Sequence, residues 1–140
     1  MSRIEGVARD LAYLIAIDKY QPPVPSLCTP VSDARRLAEV LEREHAFRTE
    51  LLCDADATKE RISKLLCRLP AEVDEADRVI FYFAGHGIAV PSDAGPTGYL
   101  LPQDATLSGT GMLFPMVELQ AALEKLRCRH VLVILDCCFA

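Results

Sequence analysis

The chain has 140 residues, of which 51% are apolar and 25% charged, and its net charge is −5. That length fits one domain, and that balance excludes a disordered tail, a collagen-like repeat and a miniprotein held together only by cysteines. The basic residues are scattered, so the acidic chain offers no segregated grip for a phosphate backbone, and nucleic acid is not expected as a partner.

Met1 to Asp10 mixes charged and apolar residues and lacks the apolar stretch of a signal peptide. No apolar run approaches the ~20 residues that cross a bilayer, so no membrane is expected as a partner and the expected location is cytoplasmic. Leu11 to Ile17 (LAYLIAI) reads as a buried strand closed by Asp18-Lys19-Tyr20. The Pro-rich stretch Pro22 to Pro30 reads as a loop. Ser32 is placed to cap a helix from about Asp33 to His45, with Ala34, Leu37, Ala38, Val40 and Leu41 on its apolar face. Glu50 to Cys53 is a short strand. Thr58 caps a second helix whose stripe of Ile62, Leu65, Leu66 and Leu69 runs until Pro70.

Arg78 to Ala84 (RVIFYFA) is the strongest strand, broken at once by Gly85-His86-Gly87. Pro91 to Gly98 is a loop, Tyr99 to Pro102 a brief extended piece, and Met116 to Leu126 a helix with Val117, Leu119, Ala122, Leu123 and Leu126 inward. His130 to Leu135 (HVLVIL) is the last strand and leads into Asp136-Cys137-Cys138. Apolar strands alternating with amphipathic helices predict an α/β fold, a three-layer sandwich with a mainly parallel sheet flanked by helices.

The six cysteines (Cys28, Cys53, Cys67, Cys128, Cys137 and Cys138) lie in or beside apolar segments and contain no Cys-x-x-Cys pair. Most are expected to be small buried hydrophobes in a reducing compartment, and a zinc site has little support. His45, at a helix end, and His130, at a strand start, are given no catalytic role. Neither a Gly-x-Gly-x-x-Gly nor a Gly-x-x-x-x-Gly-Lys-Ser/Thr loop is present, which argues against a nucleotide-binding domain.

Two strands end in reactive chemistry. In an open α/β sheet, ligands bind beyond the carboxyl ends of the strands. If the RVIFYFA and HVLVIL strands run parallel, His86 and a cysteine emerge at one rim, 52 residues apart for His86 and Cys138. A thiol is a weak nucleophile until a base takes its proton, and imidazole can both take that proton and return it to a leaving amine. On strand geometry Cys137 and Cys138 point to opposite faces.

The segments Ala12-Tyr13-Leu14-Ile15-Ala16-Ile17, Val31-Ser32-Asp33-Ala34, Phe81-Tyr82-Phe83-Ala84-Gly85-His86-Gly87, Gly98-Tyr99-Leu100-Leu101-Pro102-Gln103-Asp104 and Leu135-Asp136-Cys137-Cys138-Phe139-Ala140 together resemble the large-subunit region of the caspase-like cysteine peptidases, C14 type. The likeness covers nearly the whole chain and is nearest the metacaspase and prokaryotic-caspase branch. The resemblance implies that residues 1–140 are the large-subunit part of a catalytic domain whose small-subunit portion is not in this sequence. It places the family's histidine on His86 and its nucleophile on Cys138, since the branch pattern Asp-x-Cys-x-x-Gly sets the nucleophile two residues after Asp136. The animal-caspase pattern Gln-Ala-Cys-x-Gly is absent. Asp33 and Asp136 fall where this branch forms its first specificity pocket, which implies cleavage of peptides after Arg or Lys. Backbone N–H groups of Gly87 and Cys138 are the implied oxyanion donors.

Calcium activates many metacaspases, but the spacing of Asp54, Asp56, Asp74, Glu75 and Asp77 fits no Ca²⁺ loop, and these residues read as a solvated acidic surface. No cofactor is expected to be required. A peptide or protein substrate, the small-subunit portion of the same precursor and a possible second copy in a dimer are the expected partners. The alternative is a catalytically silent caspase-like module that recruits or scaffolds; the presence of both His86 and Cys138 argues against it.

Overall fold

Residues 5–138 are described by a computed structural model; Phe139 and Ala140, which close the Cys138 motif, lie outside the described residues. In chain order the elements are β1 (Asp10–Ala16), α1 (Pro30–His45), β2 (Arg48–Cys53), α2 (Lys59–Glu72), β3 (Arg78–Ala84), β4 (Gly87–Val90), β5 (Thr97–Leu100), β6 (Phe114–Pro115), α3 (Met116–Glu124) and β7 (His130–Asp136). Four of the strands form a sheet in the order β2-β1-β3-β7, parallel throughout. β4, β5 and β6 form a small antiparallel sheet beside it.

β1 is buried at all seven positions, the state that its unbroken apolar run encodes for a strand covered on both faces. The period of two then sorts its side chains between two cores. Tyr13, Ile15 and Ile17 join Phe81, Phe83, Ile62, Leu65, Leu69, Leu119 and Leu123 under α2 and α3. Ala12, Leu14 and Ala16 join Tyr82, Ala84, Val31, Ala34, Ala38 and Leu41 under α1. Small residues dominate the second interface, so α1 lies close to the sheet. The three-layer parallel architecture expected from the sequence is present.

Several local expectations are corrected. α1 opens at Pro30, not near Asp33, with Thr29 at the N-cap, and Ser32 sits inside the first turn with its hydroxyl donating to the Thr29 carbonyl at 2.9 Å. A proline fits there because the first helical N–H has no partner in any case. α2 passes through Pro70 to Glu72, and the Val73 N–H still closes on Leu69 at 2.9 Å. Its expected cap holds: the Thr58 hydroxyl accepts from the Arg61 N–H at 3.3 Å. α3 stops at Glu124, two residues short of Leu126. Val117 points outward at 65% exposure, because α3 directs Leu119 and Leu123 at the core instead. Gly87–Val90, unassigned from sequence, pairs as an antiparallel strand.

The cysteines and acidic residues also differ from expectation. Only Cys128 is buried; Cys28, Cys67 and Cys138 are exposed, and Cys53 and Cys137 are intermediate. Apolar sequence neighbours do not bury a residue that the helix or strand period turns outward. Asp77 is not solvated surface: it is 1% exposed, and its carboxylate accepts from Arg9 Nε at 3.0 Å, Arg9 Nη2 at 2.6 Å and the Asp74 N–H at 2.8 Å. Arg9 holds the Asp77 carboxyl well below the usual carboxylate range.

At the other side of the sheet, β7 is bonded among the described residues to β3 alone, and Leu132 and Val133 are 54% and 41% exposed. Two open grooves, of about 460 and 540 Å³, flank it: one against Met116, Leu119 and Leu123 of α3, the other against Leu41, Phe47 and Ile80. No helix among the described residues is long and apolar enough to cross a membrane.

Candidate active site

From β1 the chain moves outward to β2, then returns across β1 to β3. β1 and β3 therefore flank the point where the path across the sheet reverses, and their carboxyl ends bound the crevice where such sheets bind ligands. The exit of β1 is pinned at several points. Ile17 N–H donates to the Ala84 carbonyl at 3.0 Å. Asp54 Oδ1 accepts from the Asp18 and Lys19 N–H groups at 2.8 and 2.9 Å, and Asp18 Oδ1 accepts from the Val31 N–H at 3.0 Å. The loop fixed in this way carries Tyr20 and Pro25.

His86 leaves β3 directly into this crevice. Its Nε2 lies 2.7 Å from the Pro25 carbonyl oxygen. A carbonyl can only accept, so Nε2 carries a hydrogen, and in the neutral ring the lone pair is then on Nδ1. The imidazole also stacks at a tilt on Tyr20, with ring centroids 4.9 Å apart and 55° between the planes. Tyr20 Oη accepts from the His86 N–H and donates to the Leu101 carbonyl, each at 3.0 Å. Burial pushes the Tyr20 phenol up, out of the titrating range of water-exposed tyrosines.

Cys138 reaches the same rim. β3 and β7 run parallel with Ala84 opposite Asp136, and the Gly85 N–H donates to the Asp136 carbonyl at 3.3 Å. His86 and Cys138 each follow that last ladder pair by two residues. Cys138 is exposed, while Cys137 is partly buried against the core that includes Tyr20. Burial pushes the Cys137 thiol up, with the adjacent Cys138 and Asp136 adding to the shift. The thiolate is thus disfavoured at Cys137.

Asp33 and Asp136 are both exposed and both lie on the α1 side of the sheet. Ala84, the partner of Asp136 in the ladder, and Tyr82 face α1 from β3. Burial pushes the Tyr82 phenol up, and the charges of Asp136 and Asp33 add to the shift. On the other side of the rim, the Leu101 N–H donates to the His86 carbonyl at 3.0 Å while Gly87 pairs with Leu100. That pattern makes Gly87–Leu100 a non-hydrogen-bonded pair of the antiparallel ladder, so the Gly87 N–H points away from β5.

The acidic residues considered for calcium do not form a cage. Asp54 is engaged by backbone N–H groups, Asp56 by Arg61 at 2.5 Å, and Asp74 and Asp77 by Arg9. Among the described residues no group of three or more His, Cys, Asp or Glu side chains is placed to hold a metal ion. His45 and His130 line a groove at the opposite end of the sheet from His86. Sequence reasoning missed Tyr20, Pro25 and Tyr82. The only signals were an aromatic with a polar tip at a strand exit, a proline in a loop, and a tyrosine inside an otherwise apolar strand.

Comparison with known proteins agrees with this fold. The chain superimposes on the crystal structure of protein GSU0716 from Geobacter sulfurreducens with a TM-score of 0.79 at 21% identity, over 94% of this chain and 51% of that one. The chain thus spans about half the length of that neighbour. No curated protein matches it. The family model for the caspase domain of C14 peptidases matches residues 9–140. With that match over nearly its whole length, the chain belongs to the caspase-domain family of peptidases.

Proposed function

We propose that this chain is the large-subunit part of a metacaspase-type cysteine endopeptidase that cleaves after Arg or Lys. The observation that supports the reading is the parallel β3–β7 register, Ala84 opposite Asp136, after which both chains leave the sheet at one end with His86 and Cys138 two residues on. In the reaction Nδ1 of His86 takes the Cys138 thiol proton, and the thiolate adds to the scissile carbonyl carbon. The resulting oxyanion lies toward the N–H groups of Gly87 and Cys138. The imidazolium then protonates the leaving amine, and water hydrolyses the thioester with His86 again as base. Asp33 and Asp136 bind the guanidinium or ammonium of the residue before the cleaved bond by charge-assisted hydrogen bonds.

The small-subunit portion of the same precursor is the proposed partner of β7, whose outer edge and two apolar grooves suit an added strand and its helices. Nothing in the chemistry calls for a cofactor.

The test assays the chain together with that portion on fluorogenic peptides differing only in the residue before the scissile bond. Turnover of Arg and Lys peptides that Cys138→Ala abolishes and Cys137→Ala preserves is expected. Preferred cleavage after Asp refutes the acidic pocket, and activity that survives Cys138→Ala refutes the nucleophile.

A further inference from the structure

We propose that Tyr20 is a positioning residue for His86: its hydroxyl clamps the histidine backbone so that the imidazole meets Cys138 with little freedom left. The inference rests on the reading of His86 as the base. The clamp is a closed circuit. The His86 N–H donates to Tyr20 Oη, Tyr20 Oη donates to the Leu101 carbonyl, and the Leu101 N–H donates back to the His86 carbonyl, each at 3.0 Å. Both peptide units of His86 are therefore fixed, one by a side chain from the β1 exit and one by the strand exit of β5.

The ring end is fixed as well, by the Pro25 carbonyl at 2.7 Å, and Pro25 belongs to the same loop as Tyr20. One loop thus holds the histidine by backbone and by ring. Tyr20 is suited to this because it is 5% exposed, so water does not compete for its hydroxyl. The circuit also needs the phenol protonated, since a phenolate has no hydrogen to give Leu101, and burial holds it in that form. Gly85 completes the arrangement: any Cβ there would stand 2.6 Å from Tyr20 Oη, so the hydroxyl reaches His86 only because residue 85 has none.

The test follows iodoacetamide alkylation of Cys138 in the 140-residue chain against pH, read by mass spectrometry of the peptide that carries it. Wild type, Tyr20→Phe and His86→Ala are compared, with the amide exchange rate of His86 measured by NMR in the first two. Tyr20→Phe keeps the ring and is expected to fold. It is expected to slow Cys138 alkylation near neutral pH by about tenfold, to displace the pH profile, and to speed His86 amide exchange, because a misplaced base loses this order of rate. A merely structural role would leave the profile in place. If His86→Ala changes the profile and Tyr20→Phe leaves both profile and exchange as in wild type, the positioning role is overturned and the Cys138–His86 pair stands. If His86→Ala itself leaves the profile unchanged, the pair falls, and the role of Tyr20 falls with it. Gly85→Ala displaces the hydroxyl without removing it and is expected to shift the profile in the same sense; a Tyr20→Phe variant that does not fold leaves this second variant to decide.

Discussion

Replacing Gly85 by alanine tests the packing beneath the rim directly. The added Cβ would lie 2.6 Å from Tyr20 Oη and 3.2 and 3.3 Å from the Phe83 ring. The first distance is roughly an ångström inside the optimal contact separation. Tyr20 cannot swing aside freely, since its hydroxyl is held by His86 and Leu101. Relief requires either losing those two hydrogen bonds, at about 0.5–1.5 kcal/mol each, or shifting the turn, at about 1–3 kcal/mol. Gly85→Ala is therefore expected to destabilise by about 2–3 kcal/mol when Tyr20 is present. In a Tyr20→Phe background the severe contact is gone and only the milder one with Phe83 remains, so the same substitution is expected to cost about 1 kcal/mol. The coupling of about 1–2 kcal/mol is measurable by urea unfolding followed by circular dichroism, with the m-values of all four proteins compared. Equal costs in the two backgrounds, within about 0.3 kcal/mol, refute the claimed contact.

Asp33→Asn and Asp136→Asn are each expected to lower kcat/KM for Arg peptides about 10- to 100-fold, the value of one charge-assisted hydrogen bond, without raising turnover of Asp peptides; steady-state assays of both peptide sets check this. Asp77→Asn is expected to destabilise by about 2–3 kcal/mol at neutral pH, since it removes a buried carboxylate from Arg9. The folded-state pKa of Asp77 is depressed, so its contribution is full above the unfolded value and is lost as pH falls through the folded one. The gap between wild type and variant in thermal melts is thus expected to narrow below about pH 4, and a gap constant down to pH 2 refutes the assignment. Thr58→Ala removes the hydroxyl that caps α2 and is expected to lower stability by about 1 kcal/mol, or about 3–4 °C in Tm.

What the sequence made legible is what repeats with a period. The buried run of β1, the two faces of β3 and the amphipathic stripes of α1 and α2 are each set by local alternation, and they specify a covered parallel sheet. That the strands leading to His86 and to Cys138 end at one rim was legible because neighbouring parallel strands share their carboxyl end. Features that depend on distant partners were not. Asp77 sits in an acidic stretch that reads as surface, and only the approach of Arg9, 68 residues away, buries it. Tyr20 reads as the polar end of a strand, and its partners are 66 and 81 residues further on. Helix starts shifted for a different reason: Thr29-Pro30 and Ser32 both carry start signals, and the proline at the first helical position prevailed.

The two members of the proposed pair are held very unequally, and this bears on how such a site is completed. His86 follows an interior strand, β3, which is bonded to β1 on one side and β7 on the other, and is held by Tyr20, Leu101 and Pro25. Cys138 follows a strand with one ladder among the described residues, and the side chains from Val131 to Ile134 on it are exposed. Backbone held on one side opens locally at lower free energy than backbone held on both. The imidazole is therefore held by contacts within the described residues, whereas the backbone leading to Cys138 is paired on one side among them. Effective molarity depends on both partners being placed, so under the proposed pairing it is the order of the Cys138 backbone, and not that of His86, that limits the rate.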